Sequence, residues 1–188
     1  MTIETSSTPL AGLKRIQLKI YRDERGYFIE RFQHHDFVVE GLPTRFAQSN
    51  QSFSLPGVLR GLHFQHTPPQ GKLVGVVHGA IWDVVVDIRP WSQTYGHYYA
   101  EELSGENGVM LFVPPGFAHV FCVLGDEPAD VLYQTTEYYA PDGEGGIRYN
   151  DAVLDIPWPI SSPIVSARDS ALPSWRDYCA NQPQWGEE

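Results

Sequence analysis

Short stretches in which every second residue is apolar, each ended by turn-forming residues, constrain this chain more than any other feature of its sequence. The clearest stretch is Ile81–Ile88. One face of this stretch carries Trp82, Val84, Val86 and Ile88, and the other face carries Asp83 and Asp87. Because successive side chains of a β-strand point to opposite faces of a sheet, this period of two predicts a strand.

Four further stretches are rich in β-branched and apolar residues: Lys72–Val77, Val109–Val113, His119–Leu124 and Val131–Thr136. The 17 glycines and 15 prolines are scattered along the chain and separate these stretches instead of marking one linker. Helical signals are confined to two short segments, His34–Glu40 and Ser174–Asn181. Many short strands with few helices predict an all-β sandwich or jelly roll with short peripheral helices.

The length and composition predict one domain that spans residues 1–188. With 42% apolar and 13% aromatic residues, a chain of 188 residues can bury one sizeable core. The last residues, 183–188, are interpreted as a loose tail or as a docking segment, and composition leaves both alternatives open.

The sequence also indicates a compartment. No stretch approaches the roughly 18 apolar residues that a membrane-spanning helix needs. The first residues lack the basic start and apolar core of a signal peptide. Only two cysteines, Cys122 and Cys179, are present, which argues against a disulfide framework and favours a reducing compartment. We therefore expect a cytoplasmic protein that does not bind a membrane.

The formal net charge of −10 argues against nucleic acid as a partner, because phosphate backbones bind to basic surfaces. The same charge is compatible with a small anionic ligand. Two or three arginines that point into one pocket are enough to bind a nucleotide diphosphate. The candidate arginines are Arg25, Arg60, Arg148 and Arg168.

A histidine and a lysine in two neighbouring predicted strands indicate proton-transfer chemistry. His63 lies within Gly57–Gln65, and Lys72 follows within Gln70–Val74. The ordinary pKa of histidine, about 6.5, lets it accept a proton at neutral pH. A nearby ammonium group can stabilise the negative charge that develops when a carbon acid loses that proton. The pair therefore predicts proton abstraction next to a carbonyl.

Period-two geometry places several polar side chains on shared strand faces. The predicted sets are Lys72 with Val74, Val76 and His78, His119 with Phe121 and Val123, and Tyr133 with Val131 and Thr135. Inward polar groups in a small barrel predict a ligand cavity. Arg60 and His63 point to opposite faces of an ideal strand, so both reach one ligand only if the strand bulges at Gly61. Asp83 and Asp87 are expected to be structural.

A metal-binding cupin is the competing interpretation. Pro114–His119 matches the second motif of that family, Pro-x-Gly-x-x-His. The first motif, His-x-His followed closely by Glu, does not match, because His63 and His66 are three residues apart and prolines and Lys72 follow them. A cationic lysine repels a divalent metal. We therefore expect the barrel without a metal, and His66 at the surface.

The chain as a whole resembles the dTDP-4-dehydrorhamnose 3,5-epimerase family over nearly its entire length. The order and spacing of the matching segments are specific together, although each segment alone is weak. These segments are Asp23–Phe28, Gln48–Asn50, Gly57–Gln65, Gly71–Val74, Trp82–Arg89, Pro114–His119, Tyr133–Tyr139 and Gly146–Asp151. The resemblance implies a cupin-type jelly-roll barrel that works as a homodimer without a cofactor. It also implies that residues near each N-terminus reach into the partner's site.

The resemblance further implies a substrate and roles for four residues. The family acts on a nucleotide-linked 4-keto-6-deoxyhexose, whose C4 carbonyl acidifies the protons at C3 and C5. His63 matches the general base, and Asp169 matches the carboxylate that orients it. Lys72 matches the group that stabilises the enolate, and Tyr133 matches the acid that delivers a proton to the opposite face.

Substrate-binding roles follow from the same resemblance. Arg25 and Glu30 are expected to come from the partner subunit, and Gln48 and Asn50 to line the nucleotide pocket. The remaining matches are Arg60 and His119, around the diphosphate and the sugar, and Glu144, at a further binding position. Two further binding candidates come from residue type: Arg168, which can bind the diphosphate, and Tyr139, which can stack on a base or on a sugar face.

Three departures from the family pattern leave substrate choice open. Gly75 stands where the family usually has arginine, Arg168 stands where lysine is usual, and the segment Gly125–Asp130 carries an insertion. The sequence predicts inversion at both C3 and C5 of dTDP-4-dehydro-6-deoxy-D-glucose, which gives dTDP-4-dehydro-L-rhamnose. The alternatives are inversion at one carbon of a related nucleotide sugar, or a sugar-nucleotide-binding module without turnover. An opposed acid and base argue against the last alternative, since a binder needs neither.

Overall fold

The computed structural model describes residues 2–185, and strands far outnumber helices in this part of the chain. The strands are β1 (Ile3–Ser7), β2 (Lys14–Leu18), β3 (Ile20–Asp23), β4 (Gly26–Ile29), β5 (Gln48–Ser54), β6 (Val58–Gln65), β7 (Lys72–His78), β8 (Ala80–Asp87), β9 (Tyr98–Ser104), β10 (Val109–Val113), β11 (Phe117–Val123), β12 (Ala129–Thr135), β13 (Glu144–Gly146) and β14 (Ile164–Val165). The helices are α1 (His34–Val39), α2 (Ala167–Ser170) and α3 (Trp175–Ala180), and a 3-10 turn covers Pro141–Gly143.

The strands form two larger sheets in jelly-roll order. One sheet runs β1-β2-β10-β7-β12-β5, and the other runs β13-β6-β11-β8-β9, with β14 parallel to β6. Apart from the β8–β9 hairpin, successive strands from β5 to β12 belong to opposite sheets. Strands β3 and β4 form a separate hairpin. The predicted all-β jelly roll is confirmed, with the refinement that both sheets are open.

The main apolar core lies between the two sheets. Strand β7 contributes Val74 and Val76, and the facing strand β8 contributes Ile81 and Val85. Each of these side chains is almost fully buried, which stabilises the fold by about 1.5–3 kcal/mol per side chain. This core packs one side of the interior, so the polar groups on the same strand faces are held by a rigid wall.

A second apolar cluster covers the outer face of the β6–β11–β8 sheet. Val84 and Val86 of β8 pack there against Ile147, Trp175 and Tyr178. The C-terminal part of the chain therefore buries the face of β8 that the alternation pattern predicted to be apolar. The other face of β8, which carries Asp83, points into the space between the sheets.

The predicted strand positions are confirmed with small shifts at the ends. Val109–Val113 matches β10 at both ends. Strands β11 and β12 begin at Phe117 and Ala129, earlier than predicted. Phe117, Ala118 and Ala129 at these earlier starts are buried, and the flanking prolines and glycines hid this continuity.

The two predicted helices are confirmed as α1 and α3. Ser174 caps α3 through a capping box, in which its hydroxyl accepts a hydrogen bond from the Asp177 N–H and the Asp177 carboxylate accepts one from the Ser174 N–H. Helix α2 was not predicted. It has four residues, which is too short to show a helical period.

The structure also describes the two cysteines, the helices that were considered as membrane spans and part of the predicted tail. Cys122 is buried, Cys179 is exposed and both are free. Within residues 2–185, no helix combines the length and the apolar character needed to cross a membrane. The described part of the predicted tail, 183–185, has no regular secondary structure, and the Trp185 ring packs against Phe64 at 5.9 Å between ring centroids. Residues 186–188 of that tail lie outside the described residues.

Candidate active site

A cavity of about 600 Å³ is lined by strands of both large sheets. All of the predicted site residues except Arg25 and Glu30 line this cavity: Gln48, Asn50, Arg60, His63, Lys72, His119, Tyr133, Tyr139, Glu144, Arg168 and Asp169. Residues from β5, β6, β7, β11 and β12 therefore converge although they are far apart in the sequence. The shared strand faces that period two predicted are the faces that meet here.

His63 on β6 is paired with Asp169 on α2. The His63 Nε2 atom lies 2.7 Å from Asp169 Oδ1, and Asp169 Oδ2 accepts a hydrogen bond from the Gly61 N–H at 3.2 Å. Ser166 caps α2 by accepting a hydrogen bond from the Asp169 N–H, which fixes the position of this carboxylate. The His63 side chain is 24% exposed and that of Asp169 only 5%, so the imidazole reaches the cavity and the carboxylate supports it from behind.

This pairing decides which ring nitrogen of His63 can act. An ionised carboxylate only accepts hydrogen bonds, so Nε2 carries the proton and Nδ1 holds a free lone pair. Burial lowers the pKa of His63 below 6.5, and the Asp169 carboxylate opposes this shift. The imidazole is consequently neutral, and available as a base, at neutral pH.

A bulge in β6 brings Arg60 to the same cavity as His63. His63 pairs with His119 of β11, whereas Arg60 pairs with Phe121, so the register shifts between the two pairs. Gly61 has a φ of +123°, a conformation that other residues rarely adopt. The predicted bulge is confirmed. The Arg60 Nε atom donates a hydrogen bond to Ser54 on β5 at 2.9 Å.

Lys72 begins β7 and supplies a cationic group to the cavity. Burial lowers the pKa of its ammonium group to about 8, while the negative charges of Glu144 and Asp83 partly offset this shift. Lys72 is therefore mostly protonated at neutral pH and loses its charge in mildly alkaline solution. It shares its strand face with Val74 and Val76 of the core, as predicted.

Tyr133 on β12 belongs to the opposite sheet from His63. Burial raises the pKa of its phenol above the usual 10, although the charge of Arg60 lowers it in part. The phenol consequently keeps its proton at neutral pH and can donate it. Since Tyr133 and His63 project into one cavity from two facing sheets, a planar group between them would meet the base on one side and the acid on the other.

His119 and Asp83 form a second histidine–carboxylate pair in this region. The His119 Nε2 atom lies 2.7 Å from Asp83 Oδ2, and the Asp83 side chain is fully buried. Asp83 does not itself line the cavity, but it is connected to the cavity through His119, a contact that sequence reasoning did not predict. An acidic residue inside an apolar strand was the available signal. Asp87 does not line the cavity either, and it accepts hydrogen bonds from Arg89 instead of from a cavity residue.

Hydrogen bonds connect the side chains of the cavity wall that contains Tyr139 and Glu144. The Tyr139 hydroxyl donates to Glu144 at 2.8 Å, and the Arg168 guanidinium donates to the same carboxylate. The Gln48 side chain accepts a hydrogen bond from the Tyr139 N–H at 3.1 Å and donates one to Asn50 at 2.7 Å. The hydrogen bonds to Glu144 raise the pKa values of Tyr139 and Arg168.

Three candidate residues, Arg25, Glu30 and Arg148, do not line this cavity. Arg25 sits on the β3–β4 hairpin in an ion pair with Asp23 at 2.6 Å, and Glu30 accepts a hydrogen bond from the Thr2 hydroxyl at 2.8 Å. Arg148, an early candidate for the diphosphate, does not line the cavity. Further cavity-lining polar residues that sequence reasoning did not single out are Ser52, Gln70 and Ser166.

The competing metal interpretation finds no geometric support. His66 does not line the cavity, and its Nδ1 atom is 2.8 Å from the Thr67 hydroxyl. Among residues 2–185, no group of three or more His, Cys, Asp or Glu side chains is placed to hold a metal ion. The two cavity histidines are instead each engaged by one carboxylate.

Comparisons with known proteins show which family this chain is similar to. A family model described as dTDP-4-dehydrorhamnose 3,5-epimerase matches residues 7–177. The dTDP-4-dehydrorhamnose 3,5-epimerase of Methanothermobacter thermautotrophicus is 47% identical over 165 residues, which cover 86% of this chain and 89% of the relative. The dTDP-4-dehydrorhamnose 3-epimerase of Streptomyces niveus is 41% identical over 163 residues, which cover 85% of this chain and 78% of the relative.

The chain is also similar to a solved structure over nearly its whole length. The crystal structure of dTDP-6-deoxy-D-glucose-3,5-epimerase from Legionella pneumophila in complex with dTDP-4-keto-L-rhamnose superimposes with a TM-score of 0.91 at 41% identity. The match covers 99% of this chain and 100% of that chain. The chain described here therefore belongs to the dTDP-4-dehydrorhamnose 3,5-epimerase family.

Proposed function

We propose that this protein is an isomerase that inverts C3 and C5 of dTDP-4-dehydro-6-deoxy-D-glucose to give dTDP-4-dehydro-L-rhamnose, without a cofactor. The observation that carries the proposal is the placement of a base, His63, and an acid, Tyr133, on facing sheets of one cavity. Inversion at carbon requires removal of a proton from one face and delivery to the other. Family membership and the ligand of the Legionella pneumophila relative support the same substrate class.

The first half of the reaction is proton abstraction by His63. The C4 carbonyl of the sugar acidifies the neighbouring C–H bonds, so the free Nδ1 lone pair of His63 removes the proton while the electron pair moves to the C4 oxygen. Asp169 holds the imidazole in the required tautomer and stabilises the imidazolium that forms. The Lys72 ammonium stabilises the negative oxygen of the enolate.

The second half is proton delivery by Tyr133. Its phenol donates a proton to the opposite face of the planar enolate carbon, which restores the C4 carbonyl and leaves the carbon inverted. Because the pKa of Tyr133 is raised, the phenol stays protonated until it transfers its proton to the enolate carbon. Lys72 follows Gly71 at the start of β7, one strand away from Tyr133, so both groups act from the same sheet.

The nucleotide diphosphate is proposed to occupy the polar part of the cavity. Arg60 and Arg168 supply positive charge for the two phosphates, and Gln48 and Asn50 present amides to the nucleoside. Tyr139, whose side chain is about half exposed, is available to stack on the base. In this assignment the Glu144 carboxylate aligns the Tyr139 and Arg168 side chains before the ligand arrives.

We further propose a homodimer in which Arg25 and Glu30 serve the partner's cavity. Neither residue lines the cavity of its own chain. The β3–β4 hairpin, which contains Arg25 and is followed by Glu30, exposes Tyr21, Tyr27 and Phe28, with Phe28 at 65% exposure. A second copy packed on this hairpin would bury the aromatic rings and bring Arg25 to a neighbouring site.

The free cysteines support the cytoplasm as the compartment.

Deuterium incorporation tests the proposed reaction. The protein is incubated with dTDP-4-dehydro-6-deoxy-D-glucose in D₂O without added metal, and C3 and C5 are followed by NMR. Deuterium at both carbons together with inverted product is the expected result. Bound substrate with deuterium at neither carbon would contradict the proposal and favour a binding module.

A 3-monoepimerase is the second candidate function. The Streptomyces niveus relative, named as a 3-epimerase, is 41% identical, so this activity occurs close to the present chain. In the same experiment, deuterium and inversion at C3 alone would select this alternative.

A further inference from the structure

The second histidine–carboxylate pair, His119 with Asp83, has no assigned role in the proton transfers described above. His119 stands directly opposite His63 in the pairing of β11 with β6, and Asp83 lies on the next strand, β8. Side chains of directly opposed residues in a sheet are about 5 Å apart at Cβ. The two imidazoles therefore lie side by side on the same wall of the cavity.

The two pairs share the same hydrogen-bond geometry. Asp83 Oδ2 lies 2.7 Å from Nε2 of His119, just as Asp169 Oδ1 lies 2.7 Å from Nε2 of His63. Because each carboxylate accepts a hydrogen bond from an Nε2–H group, the ring lone pair of each histidine lies on Nδ1. Within residues 2–185, the Nδ1 atom of His119 makes no hydrogen bond, and it is not among the fully enclosed polar atoms. It can therefore accept a hydrogen bond from a ligand in the cavity.

Asp83 occupies an environment that stability alone would not favour. Its side chain is fully buried on a strand whose neighbouring inward residues, Ile81 and Val85, belong to the apolar core. The second carboxylate oxygen, Oδ1, is enclosed and has no hydrogen-bond partner among the described residues. A buried carboxylate with an unpaired oxygen destabilises a fold, so its presence beside a cavity histidine indicates a functional constraint.

The chemistry of the sugar determines what the lone pair on His119 can accept. C3 of a 4-keto-6-deoxyhexose carries both a hydrogen and a hydroxyl, whereas C5 carries a hydrogen, a methyl group and the ring oxygen. Only the C3 carbon presents a hydrogen-bond donor next to the proton that is removed. A base and a hydrogen-bond acceptor side by side therefore match the hydrogen and the hydroxyl of C3.

We propose that Asp83 is a positioning residue that fixes the tautomer of His119, so that His119 Nδ1 accepts a hydrogen bond from the C3 hydroxyl and aligns the C3–H bond with His63. This inference rests on the proposed epimerase function. It separates the two proton transfers, because the transfer at C5 has no hydroxyl for His119 to hold.

The test compares deuterium exchange at C3 and at C5 in the wild type and in Asp83→Asn. An asparagine can donate its amide N–H to Nε2, which moves the imidazole proton to Nδ1 and removes the acceptor. Exchange at C3 is expected to fall about 10- to 100-fold, as for the loss of one buried hydrogen bond, while exchange at C5 changes little. The Kd for dTDP alone is expected to stay within about twofold, since the sugar contact is absent from that ligand.

Controls separate this role from a structural one and from an effect on Lys72. Asp87→Asn changes another buried carboxylate of β8 that does not line the cavity, and it is expected to leave both exchange rates unchanged below the melting transition. Lys72 stabilises the enolate formed from either carbon, so a changed Lys72 charge would slow C3 and C5 equally. In a cycle with His119→Gln, the Asp83→Asn effect is expected to vanish, because Asp83 acts through His119.

The outcomes are distinct. Equal slowing at C3 and C5 in Asp83→Asn, no slowing at C3, or an undiminished Asp83→Asn effect in the His119→Gln background would each overturn the inference while the epimerase function stands. If the wild type exchanges C3 alone, the comparison is made between C3 exchange and the Kd for dTDP, with the same expected contrast. A wild type that exchanges neither carbon would show that the proposed function itself has failed.

Discussion

At the scale of single residues, the cavity contains groups whose surroundings push their proton affinities in useful directions. Burial lowers the pKa of His63 and raises that of Tyr133, so at the same pH the imidazole is unprotonated and the phenol is protonated. Burial also brings the pKa of Lys72 to about 8. These opposed shifts come from one physical cause, the loss of water around groups of different charge type, and they fit the proposed roles of base, acid and charge stabiliser.

His63→Ala is expected to abolish exchange at both C3 and C5, because no other described group presents a carboxylate-oriented lone pair in the same place. The loss should be at least about 10²- to 10⁴-fold, the usual contribution of a positioned base. The measurement is deuterium incorporation by NMR. His66→Ala is the matched control, since His66 follows the same strand but lies outside the cavity, and its exchange rates should equal those of the wild type. Normal exchange in His63→Ala would remove this residue from the mechanism.

Tyr133→Phe is expected to separate proton removal from inversion. The base is intact, so exchange should continue, but without the phenol the proton returns to the face it left and inversion should fall by about 10²- to 10⁴-fold. Product stereochemistry and deuterium content are measured in the same NMR sample. Tyr138→Phe, the same change at an exposed position outside the cavity, serves as the control. Full inversion by Tyr133→Phe would show that another group is the acid.

The rate is expected to fall as the pH rises through about 8, because the Lys72 ammonium then loses the charge that stabilises the enolate. The sign follows from the direction of the shift: burial lowers the pKa of Lys72, so its charge is present below that pH and absent above it. His63 works in the other direction, and its lowered pKa places the acid-side loss of activity below pH 6.5. Profiles of kcat/KM against pH, which report the groups of the free enzyme, measure both limbs. A rate that stays constant to pH 10 would rule out a titrating Lys72.

At the scale of elements, the bulge in β6 is the feature that combines an anion-binding residue with the base. A regular strand would place Arg60 and His63 on opposite faces. The register shift between the pairs His63–His119 and Arg60–Phe121 turns both toward the cavity. A glycine at position 61 is required there, since a side chain would meet the His119 carbonyl oxygen at 2.5 Å.

Gly61→Ala is therefore expected to lower both stability and activity. The clash with β11 and the strained φ should together reduce the free energy of unfolding by about 2–5 kcal/mol and move His63 away from Asp169. Gly57→Ala is the matched control, because Gly57 also has a positive φ, +76°, but a side chain there meets no atom within 4 Å. Urea unfolding and deuterium exchange measure the two effects. Equal losses in both variants would mean that φ strain, and not the clash, governs position 61.

At the scale of the whole molecule, the jelly roll places the two largest groups of functional residues on separate sheets. The β6–β11–β8 sheet carries the two histidines and the buried Asp83, whereas the β7–β12–β5 sheet carries Lys72 and Tyr133. Two facing sheets thus create two sides of one cavity, which is the geometry that inversion requires. In the proposed homodimer, a second copy would pack on the exposed hairpin β3–β4.

Mixing two inactive variants tests whether the site is shared between subunits. If Arg25 serves the partner's cavity, a dimer of one Arg25→Ala chain and one His63→Ala chain has one doubly altered site and one intact site. Unfolding and refolding an equal mixture should restore about a quarter of the wild-type rate, because half of the dimers are mixed and each has one working site. Size-exclusion chromatography with light scattering confirms the dimer. No recovery from a mixture that does form dimers would place Arg25 outside the partner's site.

The sequence by itself determined the fold class and most of the cavity. Strand periodicity is a local property, so the strand positions and the inward faces of β7, β11 and β12 could be read from side-chain alternation, and the glycine at position 61 marked the bulge. The resemblance to the family supplied roles for His63, Lys72, Tyr133 and Asp169.

Only the tertiary structure decided which distant groups meet. The pairing of Asp169 with His63 depends on α2, a helix too short to have a sequence signal, and on its position beneath β6. The pairing of Asp83 with His119 depends on strand register, which is set by packing across two sheets and not by neighbouring residues. The pKa shifts of His63, Lys72 and Tyr133 could likewise not be read from the sequence. They arise from burial, and burial exists only once the chain has folded.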